Sequence, residues 1–191
     1  MGTITRTLAN NCTTHLGLGS LVKLSDQTVT NVAAVTFDLA TLDSSREFTM
    51  YRLYQDHASA TGTSNNLEWN IGTNTSSYIT SGYQMMYMRG VGLSGTPTLA
   101  ATDSGSSFIT WTTNDDGGPQ TLVADIIGMN RASSEPSCFG HRTFQNYSGD
   151  EEMNIFSGRY YTAGDYRALR CDDSAGGSTI NGRFVLYGVR N

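Results

Sequence analysis

Lysine is nearly absent from this sequence: one residue against eleven arginines, in a chain whose net charge is −5. A protein that binds duplex nucleic acid needs a cationic footprint to release counterions, so nucleic acid is not an expected partner. No apolar run approaches the ~20 residues that span a bilayer, so no membrane partner is expected either. The opening MGTITRTLANNCTT lacks the apolar core of a secretory signal, which points to synthesis in the cytoplasm. Cysteine is scarce and odd in number. Cys12, Cys138 and Cys171 lie far apart without CxxC spacing, which excludes a fully disulfide-bonded monomer and gives no zinc or redox motif. The expected role is that of small buried hydrophobes, and no cofactor is expected.

What is abundant is Gly, Ser, Thr and Asn, together 79 of 191 residues, with only three prolines. That composition suits strands and tight turns and argues against long helices. From residue 30 onward the pattern is strand, turn, strand. Runs at 31–39, 47–58, 67–71, 83–88, 107–113, 120–129, 138–147, 154–161, 165–170 and 183–189 read as strands. The clearest alternation is LEWNI, with Leu67, Trp69 and Ile71 on one face and Glu68 and Asn70 on the other; a period of two marks a half-buried strand. Gly-, Asn-, Asp- and Ser-rich segments separate the runs and supply turn chemistry. The result is an all-β antiparallel sandwich forming one domain over 29–191, with residues 1–28 as an extended arm or edge strand. The best helix candidate, around 41–50, is allowed one to three turns. Trp69, Phe37, Leu53, Ile126, Phe184 and Leu186 are the expected core.

The C-terminal stretch GGSTINGRFVLYGVRN, with Gly182, Phe184, Leu186, Tyr187 and Gly188, resembles the endings of small jelly-roll virion surface proteins of tailed bacteriophages. FTMYRLYQ, NNLEWNIG, SGYQMMY and the opening TRTLANNCTT agree more loosely. The resemblance implies a β-sandwich of jelly-roll type on the virion surface, as a homotrimer. Two roles are common in such proteins: capsid cement or decoration against the major capsid protein or another virion protein, and receptor binding at the tail or fibre. With no separate attachment domain or stalk in these 191 residues, decoration is expected first and the tail-associated module second.

No enzyme signature emerges. His15, His57 and His141 lie on separate segments, and no G-x-S-x-G elbow is present. Asp56 precedes His57 and is the one neighbour placed to orient it. The acidic groups Asp115–Asp116, Asp150–Glu152 and Asp172–Asp173 sit in turn-like segments without a calcium-loop pattern, and neighbours on a strand point to opposite faces. The sequons at Asn11, Asn74 and Asn146 follow from a chain rich in Asn, Ser and Thr. The strongest candidates are for partner contact: Tyr83, Met86, Tyr87, Met88, Arg142, Tyr160 and Tyr161. Tyrosine offers large contact area at low entropic cost, and methionine adapts to irregular surfaces. Arg52, Arg142 and Arg159 are expected to form salt bridges between subunits, because arginine suits bidentate carboxylate pairing.

Overall fold

The computed structural model describes residues 21–60, 67–91, 97–109, 120–145, 151–173 and 176–190. Residues 1–20, with Cys12, His15 and the first sequon, lie outside it, as do Trp111, Asp115, Asp116, Tyr147, Asp150 and the sequon at Asn146.

Twelve strands follow in chain order: β1 (Leu21–Val32), β2 (Ala34–Asp38), β3 (Met50–Ala60), β4 (Leu67–Asn74), β5 (Ser77–Tyr78), β6 (Tyr83–Val91), β7 (Thr98–Gly105), β8 (Gln120–Ile127), β9 (Ser137–Gln145), β10 (Glu151–Tyr160), β11 (Ala168–Asp173) and β12 (Ile180–Val189). They form an eight-stranded sheet, β1-β12-β3-β8-β9-β10-β6-β7, and a four-stranded sheet, β2-β11-β4-β5. All pairings are antiparallel. First pairs with last (β1–β12), then β2 with β11, β3 with β8 and β4 with β5, and successive nested pairs fall on opposite sheets. That wrapping is a jelly roll. The remaining strands, β9, β10, β6 and β7, extend one sheet beyond the sandwich.

Local chemistry explains the boundaries. The run expected as one strand over 31–39 is two, because the chain leaves one sheet for the other at Asn31–Ala33. Asn31 sits at φ 54, and its N–H donates to Asn181 Oδ1 at 3.0 Å. The helix expected around 41–50 is a single turn, α1 (Leu39–Leu42). Asp38 caps it, accepting from the Ala40 N–H at 3.0 Å and the Thr41 hydroxyl at 2.8 Å. Residues 21–28 belong to the edge strand β1, and the boundary drawn at 28/29 falls inside that strand.

The core lies between the two sheets. Phe37 and Trp69 of the small sheet stack with ring centroids 6.0 Å apart, and Phe184 of the large sheet meets Trp69 edge-on at 6.0 Å. The indole N–H donates to Gln55 Oε1 across the sandwich at 3.1 Å, so the buried ring carries no unsatisfied donor. All six expected core residues are buried. Beyond the sandwich, the inner side of the extension is covered by Ser107–Ile109. Ile109 bridges to Trp69, and the Phe108 ring packs 5.9 Å from Tyr83.

Candidate functional site: an apolar sheet face

The extension places unusual side chains in solvent. Strand alternation gives β9, β10 and β6 an inner face (Cys138, Phe144, Phe156, Met85) that is buried and an outer face that is not. Register sets the outer residues in rows. Met86 lies beside Ser157, which lies beside Phe139. Leu99, Met88, Ile155 and His141 form the next row, and Met153 lies beside Thr143 in the one after. Phe139, Met86 and Met153 are half exposed, and Leu99 is 73% exposed. Of the nine large hydrophobic side chains exposed among the described residues, six lie on this face of the extension and a seventh, Ile127, borders it on β8. Isolated surface hydrophobes need no explanation, but a contiguous patch marks a contact surface.

Two open depressions flank Phe139. One is lined by Met86, Ala101, Asp103, Ser157, Arg159 and Tyr161. The other is lined by Arg52, Val123, Asp125, His141, Met153 and Ile155. The cations beside them are neutralised within the chain. Arg52 makes a bidentate pair with Asp125 at 2.5 and 2.6 Å. Arg159 pairs with Glu135 and lies 4.3 Å over the Tyr161 ring.

The residues expected to contact partners divide between the two sides of this sheet. Met86 and Met88 lie on the exposed face, Tyr161 stands exposed at its end, and Tyr87 and Tyr160 are half-buried against the core. Tyr83 and Arg142 require correction, because both are buried within the chain. Tyr83 accepts from the Ile71 N–H at 3.2 Å and donates to the Ile79 carbonyl at 2.9 Å, tying the extension to the small sheet. Burial raises its hydroxyl above the usual range. Arg142 shares the inner side of β9 with Cys138 and Phe144. It donates to Gln120 Oε1 at 3.2 Å and its guanidinium lies 4.2 Å over the Phe144 ring. Arg52 and Arg159, expected to bridge subunits, pair with Asp125 and Glu135 of the same chain. Alternation counted from Cys138 or Phe144 places Arg142 inside; residue type alone put it at the surface. The same parity would have found Phe139, Met153 and Ile155, which the sequence reading passed over.

The other candidates stand apart from this face or at its centre. His57 (φ 47) and Asp56 form an exposed pair at 2.7 Å on an irregular stretch of β3. His141 is exposed in the middle of the apolar rows. Glu151 faces solvent, whereas Glu152 is buried and receives the Arg89 Nε–H at 2.7 Å. Asn74 of the second sequon accepts from the Ser76 N–H at 2.9 Å and its hydroxyl at 2.7 Å, shaping the β4–β5 turn. Burial raises the Cys138 and Cys171 thiols well above their ordinary range. No group of three or more metal-ligating side chains converges among the described residues, and none of their helices is long and apolar enough to cross a membrane.

Neither a protein-family model nor a curated protein matches this chain. Among solved structures, a plant- and prokaryote-conserved (PPC) protein from Pyrococcus horikoshii is similar at 9% identity and a TM-score of 0.33, over 92% of this chain and 84% of that one. An alginate lyase from Alteromonas sp. 272 is similar at 8% identity and a TM-score of 0.22, over 92% and 93%. Likeness at that level carries no argument about this chain.

Proposed function

We propose that this chain is a non-enzymatic structural protein of a phage virion, a cement or decoration protein that stabilises the head as a homotrimer on the capsid surface. The observation that carries the reading is the apolar outer face of the β9-β10-β6-β7 extension. A jelly roll whose added strands expose a methionine-rich surface around Phe139, Leu99 and Ile155 is built to be covered by other protein. The C-terminal resemblance to small virion proteins supplies the setting, and the major capsid protein or another virion protein is the expected neighbour.

Quantitative mass spectrometry of purified particles, with electron microscopy of antibody-labelled virions, tests the reading. Hundreds of copies spread over the head are expected. Tens of copies confined to the tail would replace cement with a tail- or fibre-associated receptor-binding module. Absence from the particle would overturn both.

A further inference from the structure

We infer that the outer face of the extension is covered by a second copy of this chain, the faces of neighbouring copies meeting about a closed rotation axis. The inference deepens the assembly reading above and rests on it, naming the surface that self-association buries.

Three observations select a copy of this chain over a partner of different chemistry. The face brings little charge to be matched: Arg52 and Arg159 are held by Asp125 and Glu135 of the same chain, and the exposed acids Asp103 and Glu151 lie at its margins. A strongly charged partner would lose hydration here without gaining a counter-charge. Phe139 is half exposed and lines both open depressions, so around a three-fold axis the Phe139 of one copy can seat in a depression of the next. The extent is also adequate. Four strands about 4.8 Å apart, each about nine residues long at about 3.3 Å per residue, present on the order of 600 Å². The neighbouring Tyr54–Tyr187 pair, with ring centroids 5.5 Å apart on the same side of the sheet, carries the face toward the roughly 800 Å² per partner of a stable interface.

The test uses the purified full chain alone, so its result is independent of any virion. Sedimentation velocity is run on the wild type, on Met86→Asp and Ile155→Asp, and on Leu21→Asp at the far edge of the sheet. An oligomeric wild type is expected, with the dissociation constant raised at least ~100-fold in the two face variants and unchanged in Leu21→Asp. A monomeric wild type, or face variants that associate like the wild type, overturns the proposal. Should the aspartate variants misfold, peroxide oxidation of the wild type decides. Met86, Met88 and Met153 are expected to oxidise at least ~10-fold more slowly at high protein concentration than after dilution, and equal rates overturn the inference. An oligomer of a protein missing from virions would leave this interface standing and remove the virion reading. A monomer that still decorates heads would do the reverse.

Discussion

Asp43 lies buried where α1 ends, with Tyr51 donating to its carboxylate at 2.5 Å and the Glu47 N–H at 2.9 Å. The Asn130 amide reaches its carbonyl at 2.8 Å, so one side chain and its backbone hold three segments together. Asp43→Ala strands the buried Tyr51 hydroxyl and should cost about 3 kcal/mol in a urea titration, a cost that exposed positions do not show. Gly188 is set by packing: a Cβ there would lie 2.4 Å from the Phe48 ring. Gly188→Ala should destabilise by about 1–3 kcal/mol, measured the same way. Asp172 sits opposite Glu68 across β11 and β4. Burial raises its carboxyl above the ordinary range, against the pull of Arg170 at 3.1 Å and an Asn70 hydrogen bond. The folded chain therefore holds that proton more tightly than the unfolded chain. Stability from this group falls as pH climbs from the ordinary carboxylate pKa of about 4 through the raised one, and is level above it. Asp172→Asn should melt higher than the wild type at neutral pH, the difference closing as pH falls to about 4.

At the scale of elements, alternation made most of the sandwich readable. LEWNI announces β4 by its alternation, although Glu68 and Asn70 on its other face are buried too, and RFVLYGV announces β12 by being apolar on both faces, with Phe184, Val185 and Leu186 all buried. The strand β12 is central, between β1 and β3, and removal of 183–191 should yield insoluble protein, checked by the soluble fraction after expression. What the sequence hid has physical causes. The strand β7, TLAATDSG, carries no apolar alternation, since it is an edge with little to bury, and β5 is two residues long. The corner at Asn31–Ala33 follows from one residue at positive φ, which an apolar stripe running through it conceals. The contact face was half legible. Met86 and Met88 stood out by residue type, whereas Phe139 and Ile155 drew no reading until register gave them a side. Arg142 erred the other way, because burial of a guanidinium depends on Gln120 and Phe144 arriving from a neighbouring strand and its own.

The whole molecule separates polar and apolar duties between its two ends. The sandwich proper closes its core with stacked aromatics, while the extension leaves one side uncovered. Arg52 and Arg159, expected to join subunits, pair within the chain, as do Arg183 with Asp26 at 2.8 Å and Arg46 with Asp165 at 2.7 Å. Assembly through an apolar face should accordingly hold between about 50 and 500 mM salt, a range over which exposed ion pairs are progressively screened. Sedimentation at the two salt levels checks this, and dissociation at the higher one would return the arginines to the interface.

Nested pairing of β1 with β12 also dictates when this protein is able to fold during its synthesis. The core waits for β12: until that strand has emerged from the ribosome, β1 and β3 flank an empty lane between them. The emerging polypeptide must stay soluble while β1 to β11 are made, carrying exposed strand edges and a methionine-rich hairpin, and then close in a long-range step. Its dense serine, threonine and asparagine content suits such a wait.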